Sequence, residues 1–223
     1  MASQFCVVSV KRLSFFALCC CFLATVPAVA TAEAFPPDLF GYRQAPRTDI
    51  SVFPQWVEAL ERHLADDLRD GGCEATRLNT CHLREWRGFL SRIKDLSKPQ
   101  QIREVNRYAN NKDYVLDFEN YGLIDYWAIP REFLFNGGDC EDYAITKMMS
   151  LRWLGHPPDD MRIVVLQDTN LRIAHAVMAV GTGDDILILD NQADEVLSHK
   201  SIVHYAPVYS IGESQWWMHL PAS

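Results

Sequence analysis

Beyond residue 32 the chain has no second long apolar run, no stripe of Lys and Arg, no cysteines at zinc-finger spacing, no internal repeat and no low-complexity linker. The first absence argues against a polytopic membrane protein. The second removes the electrostatic footprint that nucleic acid or anionic lipid requires, and the third leaves no structural zinc site. Positive charge is the scarcer sign, with 21 Lys and Arg against 29 Asp and Glu. Cysteine is also sparse, because Cys6, Cys19, Cys20 and Cys21, four of the seven, lie near the N-terminus.

The one long apolar run, Leu13 to Val26, follows Lys11 and Arg12 and gives way to Pro27 and the small residues Ala28-Val29-Ala30-Thr31-Ala32. A basic start, a short apolar stretch and small residues at the end describe a secretory signal peptide over 1–32, with the mature chain starting near Thr31 or Glu33. Extending the apolar stretch back through Phe5 gives the alternative, an uncleaved anchor. The leader holds two of the 21 cations and none of the 29 acids, so the remainder carries a net charge near −10. The expectation is an exported protein whose mature part neither inserts into a membrane nor binds nucleic acid.

Three cysteines remain. Cys73 and Cys81 bracket a polar loop and make a plausible disulfide in an oxidising compartment. Cys140 is then the odd one, and its neighbours Asp139, Glu141 and Asp142 argue against the apolar pocket of a buried structural thiol.

Residues 33–50, with Pro36-Pro37 and Pro46, read as an irregular arm ahead of one domain over 51–223. Its first part, about 51–135, is a helical lobe: Trp56, Val57, Leu60, Leu64 and Leu68 recur at helical spacing from Pro54 to Asp70, and Leu83, Trp86, Phe89, Leu90 and Ile93 repeat it from His82 to Leu96. Ser97 and Pro99 suit the start of a third helix carrying Ile102, Val105 and Tyr108. Tyr121 to Phe135 reads as an aromatic connection broken by Pro130. The second part, about 136–215, opens with Asp139 as N-cap and Cys140 as first residue of a helix that ends at Gly155 and Pro157. Short β-branched runs follow at Met161–Gln167, Leu171–Val180, Ile186–Leu189 and Pro207–Ile211, as in an antiparallel sheet. Trp216 and Trp217 read as core or lid. The fold class expected is α+β, with the Cys140 helix packed on the sheet.

A thiol at a helix start faces unpaired N–H groups and the positive dipole end, which favour the thiolate. His175 lies within a strand, where a polar ring needs a partner; His63, His82, His156, His199, His204 and His219 fall in helical or turn contexts. A hairpin through residues 181–185 would set Asp190 roughly opposite His175. Cys140, His175 and Asp190 thus read as nucleophile, base and orienting carboxylate. The N–H of Cys140 is one oxyanion donor, with Trp127 or an amide near it as a candidate second. For His175 the plain alternative is a satisfied core histidine.

Asp125-Tyr126-Trp127-Ala128-Ile129-Pro130, Glu132-Phe133, the block Asn136-Gly137-Gly138-Asp139-Cys140-Glu141-Asp142-Tyr143-Ala144, Ala174-His175-Ala176-Val177 and Leu189-Asp190-Asn191 resemble the bacterial transglutaminase-like cysteine proteinases, in particular their periplasmic, LapG-type members. The resemblance spans roughly 51–210. It implies a papain-like or transglutaminase-like core with a Cys140–His175–Asp190 triad. It also implies a large repeat-rich surface adhesin as substrate, cut near its N-terminus at a pair of alanines, and an inner-membrane receptor for cyclic di-GMP as the inhibiting partner. Calcium is implied as cofactor, with Asp139 and Glu141 as ligands and Asp142 as a weaker candidate that otherwise caps the helix. Carboxylates beside a thiol oppose its ionisation unless a hard cation offsets them, so the chemistry agrees. Two other classes stay open: a transglutaminase-type acyl transferase, and a non-catalytic exported binding module.

Overall fold

Helices form where apolar residues recur at helical spacing, and their ends are set by local chemistry. In the computed structural model, which describes residues 35–66 and 81–222, helix α1 spans Pro54–Ala65 with proline in its first turn and Trp56 and Ala59 buried. Asp66 is its C-cap, and the rest of the expected helix, to Asp70, lies outside the described residues. Helix α2, Cys81–Ile93, buries Leu83, Trp86, Phe89, Leu90 and Ile93. Helix α3, Lys98–Asn110, starts behind Ser97, whose N–H donates to Gln100 Oε1 at 3.1 Å, one half of a capping box. Each buried indole also places its polar edge: Trp56 Nε1 donates to Gly212 O and Trp86 Nε1 to Ser150 Oγ, both at 2.9 Å. Removing one such ring from water covers on the order of 200 Å², about 5 kcal/mol as an upper bound.

The aromatic connection differs from its reading. Residues Asp117–Tyr121 form a short helix, α4, and Pro130 begins rather than breaks a helix, α5, Pro130–Asn136. Proline lacks an N–H, and the first helical residue has no intrahelical use for one. Helix α6, Cys140–Trp153, then runs to Leu154 and ends at Gly155 with φ +85°. Its residues Asp142 to Leu151 are all buried, Lys147 included.

Among the described residues the sheet has eight strands, all antiparallel, in the order β1-β2-β8-β7-β3-β4-β5-β6: β1 Asp38–Leu39, β2 Tyr42–Arg47, β3 Met161–Asp168, β4 Ile173–Gly181, β5 Ile186–Leu189, β6 Leu197–Ser198, β7 Tyr205–Ile211 and β8 Trp216–Pro221. The arm expected to be irregular over 33–50 is therefore corrected. Its residues 38–39 and 42–47 are strands, and β2 pairs with β8 from Tyr42↔Pro221 to Arg47↔Trp216. Pro46 is tolerated because β1 pairs only with Tyr42 and Arg43, so nothing asks for its missing N–H on the outer side. With β8 paired to both β2 and β7, the sheet runs on to Pro221, past the expected limit near 215.

Strand alternation splits the core into two clusters. Ile163, Met178, Val180, Leu189 and Ile211 join the helices on one face. Val164, Leu166, Val177, Ala179, Ile186, Ile188 and Tyr205 form a smaller cluster on the other, with Leu39 and the partly buried Phe35, Phe40 and Ile202. The expected class, an α+β fold with the Cys140 helix on an antiparallel sheet, is what the chain adopts. The leader 1–32 and Cys73 of the expected disulfide lie outside the described residues. Among the described residues no helix is long and apolar enough to cross a membrane.

Candidate active site and carboxylate cluster

The turn Gly137-Gly138 admits no side chain. Gly137 has φ +74°, and a Cβ there would meet Asp113 O at 2.4 Å; a Cβ on Gly138 would lie 2.2 Å from Asp142 Oδ2. The space is taken by hydrogen bonds that thread the preceding segment past the turn, Val115 N–H to Gly138 O at 3.0 Å and Gly138 N–H to Asp113 O at 3.3 Å. This close approach brings the segment containing Asp117 and Asp125 beside the start of α6.

Cys140, the first residue of α6, is the free thiol among the described residues. It lines a cleft of about 540 Å³ together with Asp125, Trp127, Glu141, Val165, Ala174, His175, Ala176 and Tyr209. His175 on β4 is buried, and its Nε2 lies 2.9 Å from Asp190 Oδ1. An ionised carboxylate can only accept, so the ring proton sits on Nε2 and Nδ1 is the nitrogen left for the cleft. Burial acts to raise the Asp190 pKa, but the hydrogen bond and charge of His175, then Tyr205 Oη and the Gln192 N–H, hold it below its ordinary value. Tyr205 donates to Asp190 Oδ2 at 2.5 Å and the Gln192 N–H to Oδ1 at 2.9 Å.

The expected pairing is displaced in register. The β4–β5 ladder runs from Gly181↔Ile186 to Met178↔Leu189, so Asp190 follows the last pair and reaches His175 diagonally. By alternation His175 sides with Val177 and Ala179, on the face that carries Tyr205, whereas α6 packs on the opposite face. Imidazole and thiol nevertheless line one cleft, and β4 has no ladder partner on its β5 side before Met178. No hydrogen bond joins Cys140 to His175 among the described residues. The thiol donates instead to Glu141 Oε2 at 3.2 Å. Burial first, then the charge and hydrogen bond of Glu141 and the charge of Asp139, push the thiol pKa well above its ordinary value, against a lowering from the Ala176 amide.

The residues flanking Cys140 belong to a larger set of acids. Oxygens of Asp117, Asp139 and Asp142 lie within 4.8 Å of one another, as do those of Asp117, Asp125 and Glu141, and as do the ligand atoms of Asp139, Cys140 and Glu141. Asp142 is spent on structure: Oδ1 accepts from the Ala128 N–H at 2.6 Å and Oδ2 from the Asp139 N–H at 3.2 Å, the capping role. Asp139 and Glu141 are otherwise placed. Burial raises the pKa of both; a hydrogen bond between their side chains lifts Glu141 further and holds Asp139 back, and the charge of neighbouring acids raises each, while burial lifts Asp117 to about 6. Asp139 Oδ1 and Asp117 Oδ1 are buried without a hydrogen-bond partner. Oxygen donors in mutual repulsion, two of them orphaned, fit a hard divalent cation.

Sequence reasoning missed Asp117, Asp125 and Tyr205 as members of the site. Asp125 opens the Asp-Tyr-Trp segment and carried a signal in that motif; Asp117 and Tyr205 stand in stretches with no motif at all. Trp127, one of the two candidates for a second oxyanion donor beside the Cys140 amide, has its Nε1–H on Asp125 Oδ1 at 3.0 Å, so of the two the candidate amide near it is the one this bond does not engage. Lys147, two turns along α6, is fully buried and donates to Leu189 O at 3.3 Å; burial lowers its pKa to about 7, with Asp190 opposing.

The sequence model of the bacterial transglutaminase-like cysteine proteinase family (BTLCP) matches residues 73–223. A search of curated proteins finds no match. Among solved structures, the chain is similar to Legionella pneumophila LapG, with 27% identity over 73% of this chain and 87% of that one at a TM-score of 0.58. The calcium-bound form of that protein matches at 26% identity and the EGTA-treated form at 27%, each over 73% of this chain and with the same TM-score.

Proposed function

Because this chain belongs to the bacterial transglutaminase-like cysteine proteinases, we propose that it is a calcium-dependent endopeptidase using Cys140, His175 and Asp190. The observation that carries the reading is the buried His175–Asp190 pair, which leaves one imidazole nitrogen for a cleft that the sole described free thiol also lines. His175 Nδ1 takes the Cys140 proton, the sulfur attacks the scissile carbonyl, and the Cys140 N–H receives the oxyanion. Asp190 holds the ring and the charge it gains, and His175 returns the proton to the leaving amine. Water then resolves the thioester.

For this sequence to start, the thiol must turn from Glu141 to His175. Asp139, Glu141, Asp117 and Asp125 are the residues that would hold calcium, with Asp142 fixing the helix start beneath them. Bound calcium would supply the positive charge that offsets these acids. That the Legionella protein has a calcium-bound form supports the assignment.

The wider proposal follows the resemblance. The protein acts in the periplasm after its signal peptide is removed, cutting a large repeat-rich adhesin near its N-terminus at a di-alanine site. Its release would promote biofilm dispersal, and an inner-membrane cyclic di-GMP receptor would restrain the protease. Incubating the purified protein with a peptide containing an alanine pair, with calcium or with chelator, tests this directly. Cleavage after the pair that requires Cys140 is the expected result, and intact peptide under both conditions would refute it. Adding an amine donor tests the acyl-transferase alternative, since a stable amide product would reassign the reaction.

A further inference from the structure

Asp190 is held by more than the histidine it faces. Its Oδ1 receives His175 Nε2 and the Gln192 N–H, both at 2.9 Å, while Oδ2 is taken by Tyr205 Oη at 2.5 Å. Tyr205 opens β7, two strands from β4 in the sheet, and is itself buried. Its ring stands edge-on to His175 at 5.9 Å between centroids and to Phe40 at 5.6 Å. One residue thus fixes the far oxygen of the carboxylate and flanks the imidazole that the near oxygen binds.

We propose that Tyr205 is a positioning residue of the relay, a phenol donor that stops the Asp190 carboxylate from turning about its Cβ–Cγ bond and so keeps Oδ1 on His175. The proposal rests on the Cys140–His175–Asp190 reading. A carboxylate bonded through one oxygen only is free to exchange the two, and each exchange releases the ring. The backbone donor of Gln192 shares Oδ1 with the histidine and does not lock Oδ2. Burial and the carboxylates of Asp190 and Asp168 hold the proton on the phenol, so it remains a donor wherever the enzyme works. Placement on the second face matters too: Tyr205 braces Asp190 from the side away from α6, leaving the cleft side of the ring open to sulfur and substrate.

Tyr205→Phe is the test, since it keeps the ring and its edge contacts with Phe40, His175 and His204 and removes only the oxygen. Two measurements are made, with circular dichroism and thermal unfolding to establish that the variant is folded. The first is hydrolysis of a peptide bearing an alanine pair, in calcium. The expected result is a kcat about tenfold below the parent, with KM changed by less than about twofold, because ring orientation rather than substrate binding is lost. The second uses the Cys140→Ala background, where no turnover occurs, and follows the His175 Nε2–H proton by nuclear magnetic resonance. Its exchange with water should quicken about tenfold or more when Tyr205 becomes Phe, a change that a merely space-filling role would not produce. An unchanged exchange rate, or a kcat within about twofold of the parent, overturns the proposal. Asp190→Asn run alongside separates the two levels of the argument. Damage from Asp190→Asn with none from Tyr205→Phe removes Tyr205 alone, and no damage from either removes the relay with it.

Discussion

Two buried strand histidines sit in opposite electrostatic surroundings. His175 on β4 is bonded to a carboxylate and lies near a crowd of acids; His219 on β8 is bonded to the Ser210 hydroxyl at 3.0 Å and lies near the buried guanidinium of Arg162. Burial and that nearby cation push the His219 pKa down to about 4, so it stays neutral. Arg162 finds compensation within the fold: it is sandwiched between the Phe35 and Trp217 rings, 3.7 and 3.5 Å from their centroids, and hydrogen-bonded to Gln44 Oε1. The acids around Cys140 accept hydrogen bonds from the Trp127 indole, from the Tyr126, Ala128 and Asp139 amides and from the Cys140 thiol, but they face one another rather than aromatic rings, and two of their oxygens are orphaned. Burial and a hydrogen bond are common to both histidines and distinguish nothing. The sign of the partner, and whether the local charge is balanced, separates the end that can do chemistry from the end that holds the sheet together.

The comparison breaks most visibly by substitution at its two poles. Cys140→Ala or His175→Ala should lower peptide hydrolysis by about 10³-fold or more, with the fold retained by circular dichroism. His219→Leu should leave kcat within about threefold while costing roughly 1–3 kcal/mol in denaturant unfolding, since the Ser210 hydroxyl loses its partner in the interior. Activity lost on His219→Leu would erase the distinction. Asp190→Asn should fall between them, slowing turnover on the order of 10²-fold.

The acid cluster predicts a pH slope that a cation removes. Asp117 titrates at about 6 in the folded chain against 3.8 for the free group. The folded state therefore binds more protons between those values, and stability falls as pH rises through that window. Glu141 and Asp142, shifted further up, extend the fall to higher pH, and Asp139 is shifted in the same direction. In chelator, Tm should drop from pH 4 to pH 7; in millimolar calcium the drop should vanish. A Tm that follows pH identically in both would count against the cation site. The smallest effect on activity belongs to Arg162→Met, which should cost about 1–2 kcal/mol of stability through the lost ring contacts and leave kcat unchanged.

The legible part of this site was local. Gly-Gly-Asp-Cys carries its own turn and cap chemistry, and a histidine among Ala, Val and Met announces a buried polar ring. Distance along the chain hid the remainder. Asp117 and Tyr205 join the site through segments whose approach depends on the Gly137-Gly138 contact and on strand order, neither of which has a periodic signature. Pro130 was read as a break because proline ends helices far more visibly than it starts them. Strand β2 was missed because Pro46 disguises an edge, and β8 because its tryptophans read equally well as core. His219 shows the limit of context alone: in the sequence it reads as a turn or helix residue, yet it is a strand histidine and, like His175, buried. Along α6 the apolar spacing marked one buried side, but the helix is enclosed all round, so Lys147 could not be told from a solvated lysine.

Helix α3 grips the segment that carries Asp190. Asn110 Nδ2 donates to Asp190 O and Ala193 O, and Asn106 Nδ2, one turn earlier, to Ala193 O and Asp194 O, all between 2.9 and 3.1 Å. Two asparagines on one helix and a loop some eighty residues away thus form a single heritable cassette. A chimera that imports either piece from a relative must import both, or the carboxylate will arrive on a mounting cut for a different part.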